Sequence, residues 1–281
     1  MRILLLSALG MVTSLSTPAQ DAGLLDVFSA QVKPDKIAEF EAAMKRIVDA
    51  NRKHNGSHWI ALTADRGSGF TYNFVSSQKD FADIEKSGEA FGASIAAMLG
   101  NRTGMASFFH EFDKNLAGSH SGVRRRRPDL SANMPSGSEL SKAVGKLRYV
   151  DATVIHIRSG YLRDYEEQIK TLAAGTKGTV LVSQSVLGDD GNVYYVGRYL
   201  SSLSELDEPR PRAADILGPD GYQKYLGVLR AAVSRTEHIL YRVRPDLSVP
   251  TAEVAAVDPA FWNPRPPLVT SKPKPVTEAK R

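Results

Sequence analysis

The sequence contains no cysteine. Disulfides, thiolate metal sites, iron–sulfur clusters and thiol nucleophiles are all excluded. Long apolar runs are equally scarce. The one run near the start, residues 3–12, is too short to cross a bilayer. Arg2 precedes it, and Thr17-Pro18-Ala19 puts small residues at a cleavage site before Gln20. Residues 1–19 therefore read as a secretory signal peptide, which predicts an exported protein, periplasmic or extracellular, with no membrane contact after cleavage. The familiar catalytic and phosphate motifs are missing too. There is no Gly-x-Ser-x-Gly elbow, and Gly67-Ser68-Gly69 lacks the Lys-Ser/Thr that a phosphate loop needs. His54 and His58 have Asn55-Gly56 between them, which breaks the helix a zinc pair would require. Gly188-Asp189-Asp190-Gly191-Asn192 lacks the length and terminal glutamate of a calcium loop and reads as a hairpin turn. No metal site is expected.

What is present is an ordinary globular composition over 281 residues, 42% hydrophobic and 24% charged. The formal charge is +5. Part of that excess sits at Arg124 to Arg127 and in the last eleven residues. A surplus placed in a linker and a tail does not make the basic face that a nucleic acid needs, so no nucleic-acid partner is expected.

The chain carries an internal echo. Residues 154–170 (VIHIRSGYLRDYEEQIK) follow the plan of residues 29–45 (SAQVKPDKIAEFEAAMK) 125 positions on. Val32 matches Ile157, Phe40 matches Tyr165, Glu41 matches Glu166 and Lys45 matches Lys170. The same offset aligns Phe74-Val75-Ser76-Ser77 with Tyr199-Leu200-Ser201-Ser202. Both halves close on one pentapeptide, Arg127-Pro128-Asp129-Leu130-Ser131 and Arg244-Pro245-Asp246-Leu247-Ser248.

Period-2 alternation over residues 24–32 predicts a strand, and Ile37, Phe40, Met44, Ile47 and Val48 form a helical stripe after it. A hairpin follows, strands 58–64 and 70–75 around the turn at 65–69. A helical region at 78–99, interrupted near Ser87-Gly88, and a fourth strand at 106–112 complete the unit. Residues 116–145, rich in Gly, Ser, Asn, Pro and Arg, read as a linker. The second unit repeats the order: strand 149–158, helix 161–172, strands 179–187 and 193–200, helix 213–234 and strand 236–243. The predicted organisation is a signal peptide (1–19), unit one (24–115), the linker (116–145), unit two (146–248) and a Pro-rich, basic tail (249–281). In the tail Phe261-Trp262 is placed to dock on the body, with disorder beyond Pro264.

The order βαββαβ is that of a ferredoxin-like unit. Val32-Lys33-Pro34-Asp35-Lys36 with Glu39-Phe40, and Ile157 with Asp164-Tyr165, resemble the dimeric α/β-barrel superfamily, which includes antibiotic-biosynthesis-monooxygenase-like and NIPSNAP-like domains. Ser159-Gly160 departs from the Pro-Asp of the first unit. The resemblance covers residues 24–112 and 149–247. It implies an α+β fold in which two tandem units pack sheet to sheet as an intramolecular barrel. Such a chain is a monomer or, through exposed edge strands, a weak homodimer.

Strand alternation then assigns faces. Phe28, Ala30 and Val32, with Thr153, Ile155 and Ile157, are expected under the helices. Ser29, Gln31, Val154 and His156 are expected to face the space between the sheets. On the third strands Phe70, Tyr72 and Phe74, with Tyr195, Gly197 and Tyr199, are given to the helix side. The 125-residue offset then places Asn73 and Arg198 inside. Gln31, Asn73, His156 and Arg198 are thus the candidate ligand-binding residues, polar groups in a mostly apolar space. They serve equally as partners of one another across a half-buried sheet. His110 and His238 are placed on the fourth strands, as edge or surface residues.

Three functions are compatible with this reading. The first is an exported barrel that binds a small, partly apolar ligand, with no cofactor. The second is a cofactor-independent monooxygenase- or isomerase-like enzyme, which the resemblance implies, with His156 moving a proton and Arg198 stabilising an anionic oxygen. The third is a haem protein, also on the resemblance, for which His156 or His238 must face a large cavity.

Overall fold

The computed structural model describes residues 23–100 and 102–264. The predicted signal peptide and the tail beyond Pro264 lie outside the described residues. In chain order the elements are β1 (Leu24–Val32), α1 (Ile37–Lys53), β2 (Ile60–Arg66), β3 (Thr71–Gln78), α2 (Phe81–Leu99), α3 (Arg102–Asp113) and β4 (Leu116–Arg126). They continue with α4 (Gly137–Gly145), β5 (Tyr149–Ile157), α5 (Leu162–Gly175), β6 (Leu181–Leu187), β7 (Asn192–Leu200), α6 (Ala213–Ala232), β8 (Val233–Val243), α7 (Ala252–Val257) and α8 (Pro259–Trp262).

Each unit orders its strands as a ferredoxin-like sheet, β4-β1-β3-β2 and β8-β5-β7-β6. The two outer strands of each unit then pair with the other unit, β2 with β8 and β4 with β6, all antiparallel. The result is one closed barrel of eight strands, an intramolecular dimeric α+β barrel. Closure consumes the edges of all eight strands, so the expected edge-strand route to a homodimer finds no free strand among the described residues.

Helices cover the outside of the barrel. Phe40, Met44, Ile47 and Val48 of α1 pack on Ala30, Val32, Tyr72 and Phe74, and Ile95 and Phe112 complete that core. In unit two Tyr165 packs on Ile157, Tyr194 and Val182. The expected helix-covered faces of β1, β3 and β5 are observed, except that Phe70 precedes β3 and is exposed.

Three local expectations need correction. Residues 106–112 are helix α3, because Met105, Phe108, Phe109 and Phe112 recur at helical spacing and all join the first core. The helix at 81–99 runs unbroken through Ser87-Gly88. The stretch expected to be a linker begins with strand β4 and also carries α4. Gly, Ser and Arg give β4 little intrinsic strand preference. It is held by ladders to β1 on one side and β6 on the other, so tertiary pairing overrides propensity. The first part of the expected tail is also folded. Val249 bridges to Trp59, and Trp262 is fully buried with its Nε1 donating to the Gly145 carbonyl at 2.9 Å. Leu147, Val254 and Trp262 join one apolar cluster with Leu62, Val150 and Ala152, so α4, α7 and α8 cover part of one end of the barrel.

The repeated pentapeptide binds the halves together. It follows β4 in one case and β8 in the other, and each copy reaches across to the opposite unit's helix. Arg244 donates to both carboxylate oxygens of Glu41 on α1 and to Asp246, while Tyr72 donates to Glu41 at 2.7 Å. Arg127 donates to Glu166 on α5 at 2.6 Å and to Asp129, while Tyr194 donates to Glu166 at 2.6 Å. Lys45 and Lys170, also equivalent, pair with Asp246 and Asp129. The hydroxyls of Ser131 and Ser248 cap the two turns and accept from Val182 and Ala61 backbone amides.

The Arg244 hydrogen bond holds the Glu41 carboxyl below its ordinary range, and Arg127 does the same for Glu166. A depressed folded pKa gives stability that is fully present above the unfolded value, about 4.3 for glutamate, and is lost as pH falls through the folded value. Glu41→Gln is expected to lower the unfolding free energy by about 1–3 kcal/mol at neutral pH. It should also flatten the loss of melting temperature between roughly pH 5 and 2, measured by thermal unfolding across that range. A pH profile identical to the unmodified protein's would refute the assignment.

Candidate functional site

Cross-strand partners share a face of the sheet. Ser29 pairs with Asn73 and His120, and Val154 pairs with Tyr195 and Glu237. All six point into the lumen of the barrel, where Val154, Val193, Ile239, Ala64, Tyr195 and Tyr241 form a cluster of their own. Following the register from strand to strand builds the lumen in three layers. Gln31, His156, His120 and Glu237 stand at the open mouth. Ser29, Asn73, Tyr195, Tyr241 and Arg124 form the middle. Ser77, Tyr199 and Arg126 lie toward the end that α4, α7 and α8 partly cover.

Of the four predicted residues, three face this lumen. Asn73 is 7% exposed and accepts a short hydrogen bond from the Ser29 hydroxyl. Gln31 is exposed at the mouth. His156 is half-buried there, with Nε2 3.9 Å from Glu237, which also binds Arg235 at 2.9 Å. Arg198 does not join them. It lies opposite Asp151 in the ladder and donates to that carboxylate at 2.9 and 3.1 Å on the outer face. Tyr195, Gly197 and Tyr199, expected under the helices, take the lumen face instead. The cause is the offset. Tyr72 and Tyr194 both bind the equivalent glutamates, so the third strands correspond at 122 positions, not 125. A slip of an odd number of residues sends every side chain to the other face. A joint His156–Arg198 active site is therefore not assembled.

The residues that sequence reasoning missed are Arg124 and Arg126. They alternate with Arg125 on β4 and point inward. The Arg124 guanidinium lies 3.3 Å from the centroid of the Tyr195 ring. The Tyr195 hydroxyl donates to Asp189 at 2.9 Å, and Asp189 also stands 3.4 Å from His120. Asp189 is brought over the lumen by Gly188, whose φ is +100°. Any side chain there would meet the Ser121 carbonyl at 2.4 Å. Arg126 donates to Ser77 Oγ at 3.0 Å, and burial lowers its pKa against the opposing pull of Tyr199. Neither arginine has a carboxylate partner among the described residues. Arg124 and Arg126 sit two residues apart on one strand face, their Cα atoms about 7 Å apart, so like charges share the inner wall.

Desolvation pushes the hydroxyls of Tyr199, Tyr241 and Tyr195 up, so all three are neutral donors at physiological pH. Tyr199 is densely surrounded yet keeps accessible surface, as do Tyr195 and Gly197. The buried Ser68 hydroxyl and the Asn73 side chain both lie close to the Tyr241 hydroxyl.

Two clefts lie outside the barrel. One, of about 410 Å³, is lined by Arg148, Tyr149, Ser201, Arg242 and Phe261. Its guanidiniums are already committed, Arg148 to Asp258 and Arg242 to Asp65. The other, of about 370 Å³, lies between α1 and α3, where Arg46 stacks on Phe108. Neither includes a predicted residue. The described residues contain no cluster of three metal-ligand side chains. Haem would need a histidine facing a large cavity. His238 instead points outward, exposed, with Nδ1 3.2 Å from Thr153 Oγ1, and His110 is exposed on α3, not on a strand. His156 faces Glu237 across the mouth.

No protein-family model matches the chain, and no curated protein matches it. Among solved structures it is similar to an anthrone oxidase-like protein, at 16% identity and a TM-score of 0.48 over 80% of this chain and 93% of that one. A candidate monooxygenase from Fusobacterium nucleatum gives 14% identity and a TM-score of 0.45 over 79% of this chain and 92% of that one. A heme-binding protein from Thermus thermophilus gives 10% identity and a TM-score of 0.38 over 81% of this chain and 93% of that one. These likenesses are distant and carry no argument about ligand or activity.

Because Arg198 serves only an outer ion pair with Asp151, a double-mutant cycle of Arg198→Ala and Asp151→Ala should give a coupling below about 1 kcal/mol. Urea unfolding measures it. A coupling of several kcal/mol would show that this pair is buried more deeply than the ladder implies.

Proposed function

We propose that this protein is an exported barrel protein that holds a small, partly apolar molecule in the lumen between its two units. The supporting observation is the lumen face of β7. Tyr195, Gly197 and Tyr199 point inward and keep some accessible surface, and a Cβ added at Gly197 would meet only Val150, at 3.6 Å. Apolar walls from Val154, Val193 and Ile239, with a few convergent polar groups, have the make-up of a ligand site. The ligand enters between Gln31, His120 and His156. Asn73 and the tyrosine hydroxyls orient it, and α4, α7 and α8 partly close the far end.

The family resemblance, to monooxygenase-like and NIPSNAP-like domains of the dimeric α/β-barrel group, belongs to this proposal and adds no catalytic residue. Export rests on Arg2, the apolar residues 3–12 and Thr17-Pro18-Ala19. N-terminal sequencing of the protein recovered from the expressing cell should begin at Gln20. Recovery of the intact Met1 terminus in the cytoplasm would overturn the export reading.

Gly197 offers a direct test of the lumen. A Cβ there would meet only Val150, at 3.6 Å, an ordinary van der Waals contact, so a larger residue is directed from β7 into the lumen. Gly197→Leu is expected to weaken binding of the neutral fluorophore N-phenyl-1-naphthylamine by about tenfold or more, a loss of roughly 1.4 kcal/mol, with the circular dichroism spectrum unchanged. Undiminished binding would place the dye, and the site, elsewhere.

A further inference from the structure

We infer that the lumen is built for an anion: a flat, apolar molecule with a carboxylate-type group, held by Arg124 and Arg126. This rests on the lumen being the ligand site. Many of the other arginines have an acid partner, while Arg46, Arg52, Arg125 and Arg158, all outside the lumen, have none among the described residues. Arg127, Arg148, Arg198, Arg235, Arg242 and Arg244 each face a carboxylate. Inside, Arg124 has only the Tyr195 ring and Arg126 only a serine hydroxyl. The inward carboxylates are engaged elsewhere, Asp189 by Tyr195 and His120, and Glu237 by Arg235 near His156.

The fold does not require this pair. Leu24 lies opposite Arg125 in unit one, and its equivalent Tyr149 lies opposite Arg242 in unit two. Across the pseudo-twofold axis, Arg124 therefore corresponds to Tyr241 and Arg126 to Val243. The second half forms the same strand with an aromatic and an aliphatic residue at those places. One wall of the lumen is thus cationic and the other is not. A ligand that uses the asymmetry has one charged end and an apolar body. The planar guanidinium fork matches a carboxylate with two parallel hydrogen bonds. Tyr195, Tyr199 and Tyr241 supply ring faces and neutral hydroxyls around it, which suit a flat body.

Two dyes with nearly the same aromatic body separate charge from shape: 1-anilinonaphthalene-8-sulfonate and the neutral N-phenyl-1-naphthylamine. In fluorescence titrations, Arg124→Gln and Arg126→Gln should each weaken the sulfonate about tenfold or more. The neutral dye should change by less than about twofold. Arg125→Gln, on the outward face of the same strand, should leave both dyes unaffected. Equal losses for the two dyes, or a sulfonate loss as large in Arg125→Gln, would overturn the inference. Should an arginine variant not fold, the unmodified protein still decides. Benzoate should displace the sulfonate dye and benzyl alcohol should not; equal displacement sinks the anion site. Gly197→Leu keeps the two readings apart. If it blocks the neutral dye while the arginine variants spare the sulfonate, the lumen stands and the anion falls. If both dyes ignore it, the lumen itself is the wrong site and the inference falls with it.

Discussion

The reciprocal pairing of Arg127 with Glu166 and Arg244 with Glu41 is the constraint on which this barrel depends. Each arginine ends the last strand of one unit, and each glutamate sits on the first helix of the other. A unit therefore cannot complete its own terminus without its twin. The seams β2–β8 and β4–β6 close beside these contacts, and Leu130 and Leu247, from the same two pentapeptides, are fully buried. The two ion pairs are mostly buried, with side chains 16–21% exposed, so each partner depends on having its other hydrogen bonds satisfied. Here each carboxylate also accepts from a buried tyrosine, and each arginine also holds its own aspartate. Tyr72 is pushed up to about 12, first by burial and then by Glu41, which keeps it a donor over the whole physiological range.

The two halves agree where they hold each other and differ where they face inward. Glu, Lys, Tyr and the Arg-Pro-Asp-Leu-Ser turn are the same in both, and all sit on the outer face or at the seam. In the lumen, Gln31 of one unit corresponds to His156 of the other, Asn73 to Tyr195, Ser77 to Tyr199 and Arg124 to Tyr241. Closure tolerates this divergence for a physical reason. The barrel is held by backbone ladders and by outer cores under the helices, so lumen positions are free to vary in size and charge as long as the ladders persist. A fold supported from outside leaves its interior available for chemistry.

The fold is legible in the sequence because duplication supplies a second copy of each signal. The stretch at 154–170 and its echo define the strand, the helix and their faces, and the helix-side residues Ala30, Val32 and Ile157 are buried as expected. The site is legible only in part, because a single offset does not run through the whole unit. It holds from β1 to α1 and slips by three before β3. That slip reverses the face of β7, so a constant offset puts Arg198 in the lumen and Tyr195, Gly197 and Tyr199 outside it. Three of the four expected residues survive because β1 and β5 precede the slip and Asn73 belongs to the unit whose faces follow from its own alternation.

Strand β4 is hidden by its composition but not by its context. Its Gly, Ser and Arg residues look like a linker, and its strand character comes from long-range ladders that no local window contains. Yet the repeated pentapeptide holds the missing information. Arg244 directly follows a strand that the sequence does reveal, so Arg127 must follow one too. That argument turns Arg124 and Arg126 from a linker's charge run into alternating strand residues, and alternation sends both to one face. On composition alone, the +5 charge of the chain is spread over places without structure. Part of it stands on the inner wall of a closed barrel, where two guanidiniums with no carboxylate beside them set the charge that any occupant must answer.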